Sequence, residues 1–475
     1  MRPRPHSAAQ PDAPEAGLTH SAAALEGLKG AHGRVTRAML LAAAGASLGC
    51  LLFGFDTAVI SGTTSALQAH FALSDAALGF TVASALIGTM MGALGSGWPA
   101  DRFGRRPLLG GIAAIYVLSA LGSALAVDWT SLTVWRFVGG LAIGASSVVT
   151  PIYIAESSPA VHRGRLVALS QLNVVLGILL AYLSNWLLAA LIPAALAWRW
   201  MLGIVTLPAL VLCVVALVLP ESPRWLLQHG RERTAREVLA RLGFVDPDAE
   251  LARIRDAQPR ADRASQRLLD PAHTHAILCA VGVAMFNQLS GINALMYYAP
   301  HIFELAGASA ASALGQSVAV GGVNLLFTVL ALFLIDRIGR RPLLYVGALL
   351  MTAALFLVAV EFGSGRPSGS LVLAGLLAFI AAFAVSQGAV IWVFISEVFP
   401  SPVRGKGQAL GSATHWIMAA IVTWTFPAVV ARFGGYVFAF FGAMMLLQLL
   451  FIRRLLPETR GVPLEEMDRR LQTRS

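Results

Sequence analysis

Asp56 and Arg136 are charged residues set inside stretches that are otherwise apolar, the first in Phe53-Gly54-Phe55-Asp56-Thr57, the second beside Trp135. A carboxylate shielded from water holds its proton more tightly, and a nearby guanidinium opposes this. A pair whose separation changes is therefore a proton-loading switch. The other reading of the same residues is a static pair that holds two helices together. An unpaired charge at mid-bilayer costs about 2.5–3.5 kcal/mol on insertion scales, so both readings bring the two charges together.

Uncharged hydrogen-bonding side chains interrupt other apolar stretches. They are Gln171 and Asn173, then Asn287, Gln288 and Asn293, then Asn324, Trp392, and His415 with Trp416. Amides combine donors with acceptors, as hydroxyl groups do. An indole adds a flat apolar face and one N–H donor. An ion site would need more carboxylates or carbonyls, and a phosphate or peptide site would need fixed charge at its centre. Taken singly, each amide reads as an interhelical hydrogen bond. Taken together, with Asn287, Gln288 and Asn293 so close in sequence, they read as a cavity for a neutral polyol. No metal-ligand cluster and no phosphate-cradling glycine loop accompany them, so no covalent chemistry and no cofactor are expected.

The elements that position these groups must lie in lipid. The 475-residue chain is 57% hydrophobic and 13% charged, where a soluble domain carries about 25% charged residues. At about 20 apolar residues per span, twelve spans are expected. In the first half they are 38–61, 74–100, 107–127, 131–155, 164–192 and 199–219. In the second half they are 272–300, 312–335, 342–362, 369–397, 407–431 and 435–456. The predicted fold is an all-α membrane protein of two six-helix bundles, 38–220 and 272–456. An intracellular helical linker, 221–271, joins them, with a disordered tail at 1–37 and a second tail at 457–475. The net charge of +10 would point to nucleic acid in a soluble protein. Here the arginines sit in short loops between spans, which instead places both termini in the cytoplasm and leaves no role for nucleic acid. Cys50, Cys213 and Cys279 lie within apolar segments and read as buried small hydrophobes. In this topology Asp56 and Arg136 fall at matched depth. Glycines such as Gly88, Gly92, Gly139, Gly140 and Gly144 predict close helix approach.

A duplication runs through the chain. Asp101-Arg102-Phe103-Gly104-Arg105-Arg106 returns as Asp336-Arg337-Ile338-Gly339-Arg340-Arg341. Glu156, followed by Arg163-Gly164, pairs with Glu397, followed by Arg404-Gly405. Pro220-Glu221-Ser222-Pro223-Arg224 pairs with Pro457-Glu458-Thr459-Arg460. Strings repeated in order imply a duplicated membrane unit with substrate held between halves. The charges of each copy are expected in a loop of a few residues. There Asp101, Arg102, Arg105, Glu156 and Arg163, with Asp336, Arg337, Arg340, Glu397 and Arg404, would form a cytoplasmic charge latch. Its arginine–carboxylate pairs would hold when the molecule faces outward and break as it opens inward. The alternative is that these arginines only fix topology.

These strings, with Pro151-Ile152-Tyr153-Ile154-Ala155-Glu156 and Gln288-Leu289-Ser290-Gly291-Ile292-Asn293, resemble the sugar porter family of the major facilitator superfamily over residues 38–464. The resemblance implies the major facilitator fold, alternating access by rocking, and a transporter rather than an enzyme. It implies that Gln171, Gln288, Asn293, Asn324 and Trp392 contact sugar, with Tyr297 and Tyr298 near the outer gate. Asn287, His415 and Trp416 complete the expected substrate set. An acidic residue at the position of Asp56, with Arg136, is similar to the proton symporters of the family. The partners implied are a monosaccharide, of the glucose, galactose or xylose class, a proton and the lipid of a bacterial inner membrane, with a monomer sufficient. Span 10 lacks the proline that often follows Gly388. A facilitative sugar or polyol uniporter and a sugar-binding membrane sensor are the alternative functions.

Overall fold

A computed structural model describes residues 35–159, 162–256, 268–400 and 403–460. Most of the expected N-terminal tail, part of the linker and most of the C-terminal tail lie outside the described residues. Among the described residues, twelve helices are long and apolar enough to cross a membrane. Spans 1 to 6 are Arg37–His70, Asp75–Gly95, Arg105–Ala124, Trp129–Glu156, Arg163–Leu191 and Ala194–Val218. Spans 7 to 12 are Thr274–Leu305, Ala310–Ile338, Arg340–Gly363, Gly369–Glu397, Arg404–Phe433 and Tyr436–Arg454.

Polar caps fix where several spans begin. Ser74 accepts from the Ala77 N–H, Asp128 from the Ser131 N–H and Ser309 from the Ser312 N–H, each satisfying a donor that the first helical turn leaves open. These three caps lie at one end of the molecule, called here the far end. The other end carries Arg105 and Arg340 and is the arginine-rich end.

Three boundaries differ from expectation. Span 1 runs on to His70, because the chain tightens to a 3-10 turn over Ile60–Thr63 and resumes as helix over Thr64–His70. The expected charged loop is helical: Gly97–Phe103 is a helix of its own, and Asp336 and Arg337 close span 8. Only one glycine interrupts the helix in each copy, Gly104 at φ 97° and Gly339 at φ 102°, a conformation that side chains disfavour. Span 10 breaks at Ser386 (φ −109°, ψ −90°), between Gly369–Val385 and Gln387–Glu397, so it bends without the absent proline.

Within the first half, spans 1 and 5 pack together, as do spans 2 and 4, 3 and 4, and 3 and 6. In the second half spans 7 and 11, 9 and 12, 9 and 10, and 8 and 10 do so. The expected glycines permit close approaches: a Cβ on Gly140 would stand 2.1 Å from the Ala85 carbonyl oxygen, and one on Gly144 2.0 Å from that of Thr89. Spans 2 and 11, and spans 5 and 8, join the halves. Short helices at Pro223–Gln228, Glu232–Leu242 and Pro247–Asp256 pack on one another through Trp225, Leu226, Leu239 and Leu251.

The halves are closed against each other at the far end. A Cβ on Gly79, near the start of span 2, would lie 2.0 Å from the Trp424 carbonyl oxygen of span 11. Ser65 donates to Glu304 across the same seam at 3.2 Å. At the arginine-rich end every ion pair among the described residues stays inside one half or inside the short helices.

Candidate functional site

Span 7 unwinds at Ser290-Gly291, where Gly291 has φ 86°. A Cβ there would press to 2.4 Å from the Phe441 ring. The break carries Asn287 and Gln288 on one helix and Asn293 on the next, all aimed at one cavity between the halves. Its volume is about 140 Å³, close to the roughly 150 Å³ of an engineered cavity that holds benzene.

All eight expected substrate residues line this cavity: Gln171, Asn287, Gln288, Asn293, Asn324, Trp392, His415 and Trp416. Gln288 is their hub. Its Nε2 donates to Asn287 Oδ1 at 2.8 Å, and its Oε1 accepts from Asn293 Nδ2 at 2.8 Å. The same Nε2 lies 3.2 and 3.3 Å from the two ring nitrogens of His415, and donates to whichever carries the lone pair. His415 sits between indoles, with ring centres 4.9 Å from Trp392 and 5.0 Å from Trp416. Asn287 Nδ2 is buried and has no protein partner among the described residues. A buried donor left open costs about 1–3 kcal/mol.

The two expected gate residues part company. Tyr297 lines the cavity on its far side and is buried. Tyr298 does not line it: its hydroxyl donates to the Thr423 carbonyl at 3.1 Å and its ring stacks on Phe426. The backbone leaves helical geometry at Tyr298 (φ −126°, ψ 18°), and this kink turns the two side chains apart. Asn173 is likewise turned away, donating to Ser47 Oγ at 2.6 Å. Trp392, on the arginine-rich side, is 38% exposed, while Met296 and Tyr297 on the far side are 4% and 3% exposed. The cavity is therefore sealed toward the far end and open toward the arginine-rich end.

Arg136 Nη1 donates to Asp56 Oδ1 at 2.7 Å, with both groups buried. Asp56 Oδ2 and Arg136 Nε and Nη2 have no other protein partner among the described residues. One hydrogen bond between two buried charges leaves much of their bonding capacity unmet. Thr57, the next residue, lines the cavity. The charge pair and the amide set are thus neighbours.

The expected latch takes a different form. Arg105 Nε lies 3.0 Å from Glu156, and Arg340 Nη2 3.0 Å from Glu397. Both members of each pair belong to the same half, and both pairs are made while this end is open. Opening does not break them, because they join neighbouring helices of one bundle. Asp101 and Asp336 add exposed contacts to Arg105 and Arg340 at 3.2 Å, of the kind worth little in water. Arg163 donates to the Ala155 carbonyl and Arg404 to that of Phe399. Arg102 lies over the Trp98 and Phe103 rings. The Arg337 carbonyl accepts from Arg460.

Two residues of this network had a sequence signal but no expected role. Glu221 accepts from the Arg105 and Arg106 N–H groups, and Glu458 from those of Arg340 and Arg341. Each carboxylate caps the helix that begins after the glycine, where open N–H groups favour an anion. Ser222 and Thr459 then donate to Glu156 and Glu397, both at 2.6 Å. The repeated Pro-Glu-Ser and Pro-Glu-Thr strings are the two copies of this clasp.

Two six-helix bundles around a central polar cavity, with a far end closed and a near end open, define a secondary transporter of the major facilitator type. A family model described as "Sugar (and other) transporter" matches residues 42–471. The chain is 37% identical over 461 residues to the D-xylose-proton symporter of Escherichia coli (strain K12), covering 89% of this chain and 94% of that one. It is 36% identical over 465 residues to the glucose facilitated diffusion protein of Zymomonas mobilis subsp. mobilis (strain ATCC 31821 / ZM4 / CP4), covering 92% of this chain and 97% of that one. A solved structure of the xylose transporter XylE from E. coli in a partially occluded inward open conformation superposes with a TM-score of 0.80 at 34% identity, over 90% of this chain and all of that one. The chain belongs to this sugar transporter family. It is a multi-pass membrane protein and a transporter, not an enzyme.

Proposed function

We propose that the protein imports a monosaccharide of the glucose, galactose or xylose class together with a proton, by alternating access. The observation that carries this reading is the buried Asp56–Arg136 pair beside a ring-sized cavity of amides and indoles. Sugar hydroxyls meet the Gln288 hub, the open Asn287 amide and Asn324, while Trp392 and Trp416 offer faces to the ring. A state that separates Arg136 from Asp56 binds the proton more tightly, and one that joins them releases it. The two charges are joined in the state described here, which is open at the arginine-rich end. That end, with both termini, faces the cytoplasm of a bacterial inner membrane, as the loop arginines favour. Each half is one rocking body, 38–220 and 272–456, and one chain contains the whole pathway. The symporter relative named for D-xylose and protons supports coupling.

A second reading, facilitated diffusion, is favoured by the Zymomonas relative, whose name says as much at nearly the same identity. Uphill uptake and counterflow of labelled glucose, galactose and xylose in proteoliposomes separate the two. Wild type is expected to concentrate sugar under an inward proton gradient, while Asp56→Asn only exchanges it. If wild type and variant both merely equilibrate sugar, coupling is wrong and the charge pair is structural.

A further inference from the structure

Arginines that sugar transport does not use gather in two niches on the lipid-facing flank of the arginine-rich end. The first lies where the start of span 3, the end of span 6 and the short helix Glu232–Leu242 meet. A cavity of about 620 Å³ there is lined by Arg106, Arg231 and Arg241 together with the apolar Phe103, Leu217 and Val218. Leu217 and Val218 are 73% and 64% exposed, so that wall faces lipid. Arg231 and Arg241 make no ion pair among the described residues. Arg106 spends Nε and Nη2 on the carbonyls of Ala216 and Leu217.

The one carboxylate lining the niche is Glu221. Its oxygens are turned to the N–H groups of Arg105, Arg106 and Ser222. Burial raises its proton affinity, against the pull of those N–H groups and of Arg105. Its oxygens are thus engaged by backbone N–H groups rather than by Arg231 or Arg241.

A second niche contains the repeat counterpart of Arg106. Arg341, Pro342, Tyr345, Val346, Ile452 and Arg453 line a cavity of about 440 Å³. Tyr345 and Val346 are 42% and 54% exposed. Arg106-Pro107 and Arg341-Pro342 occupy equivalent positions of the repeat. Arginines beside an apolar, lipid-facing wall thus stand at both corners, sharing the Arg-Pro of the repeat and drawing their other arginines from different elements.

We infer that each niche binds the headgroup of an anionic phospholipid, with guanidinium groups on the phosphodiester and an acyl chain along the apolar wall. Guanidinium presents paired N–H donors that match phosphate oxygens. An arginine at the membrane surface contributes about 1 kcal/mol toward an anionic lipid. The lipid-facing wall separates this ligand from a soluble phosphate, which has nothing to lay against Leu217 and Val218. In the first niche the lipid would tie the short helices to spans 3 and 6.

The test uses the purified full chain in a neutral detergent, titrated with dioctanoyl phosphatidylglycerol, dioctanoyl phosphatidylcholine or inorganic phosphate. Native mass spectrometry counts bound molecules and reads affinity. Two phosphatidylglycerol molecules are expected per chain, bound at least tenfold more tightly than phosphatidylcholine. Arg231→Ala with Arg241→Ala should weaken one of them roughly thirtyfold, from two surface arginines lost. Arg453→Ala should weaken the other. Arg231→Lys with Arg241→Lys keeps the charge and should restore most of the first site. Equal binding of the two lipids overturns the proposal, and so does phosphatidylglycerol binding unchanged in the alanine variants. Inorganic phosphate that displaces the lipid at equal concentration would make the niches free-anion sites and overturn the lipid assignment.

Discussion

Gln288 spends both N–H groups and its carbonyl oxygen on Asn287, His415 and Asn293. Truncating it leaves three polar partners short of a bond inside a buried cavity, at about 1–3 kcal/mol each when unsatisfied. Gln288→Ala is therefore expected to raise the KM for sugar uptake by at least tenfold while the fold persists. Uptake kinetics against thermal unfolding in detergent check this, and an unchanged KM would remove Gln288 from the site. Polar side chains in apolar runs are rare, which made Asp56, Arg136 and the eight cavity residues legible in the sequence. Direction is not carried by residue type. Tyr297 faces the cavity and Tyr298 the neighbouring span 11, and Asn173 serves Ser47 instead of the cavity. Only the helix phase around the span 7 break decides such cases.

Hydropathy located twelve spans because lipid demands about 20 apolar residues from each. It did not locate the places where helices bend or stop within the same composition. Span 1 continues through a 3-10 turn, span 10 breaks at Ser386, and the repeated charged motif is helical up to one glycine. Those glycines set a prediction at this scale. A Cβ on Gly104 would stand 2.3 Å from Glu221 Oε2, and one on Gly339 2.8 Å from Glu458 Oε2, each at positive φ. Gly104→Ala and Gly339→Ala should each cost on the order of 1–3 kcal/mol from backbone strain, before any loss of the carboxylate cap. Gly164→Ala, which meets nothing within 4 Å, should stay within about 0.5 kcal/mol of wild type. Thermal unfolding of the three variants side by side measures the difference. Equal stability of all three would show that the clasp does not depend on the glycine.

The whole molecule has one seam closed and one open, and a small residue permits the tightest approach between spans 2 and 11 on the closed one. Gly79 lets span 2 touch the backbone of span 11 at Trp424. Gly79→Phe is expected to keep the far end from closing, so the fold remains but uptake falls by at least tenfold. A cysteine placed at Ser65, on the same seam, should then react faster with a membrane-impermeant thiol reagent added from outside. Unchanged uptake in Gly79→Phe would mean that spans 2 and 11 close by another route. The sequence announced the duplication and hence the two bodies. It was silent on which seam is shut, because both states use the same residues and differ in how the bodies meet.

The paired clasps have a further consequence. Each clasp joins the arginine and glutamate of one bundle to a glutamate and hydroxyl in the chain just beyond that bundle's last span, and the short helices bury their apolar residues against one another and the first half. The ion pairs of Arg105 and Arg340 at this end do not join one bundle to the other. The chain joining them then acts through effective concentration: it turns the meeting of two bodies from a search across the plane of the bilayer into an intramolecular encounter.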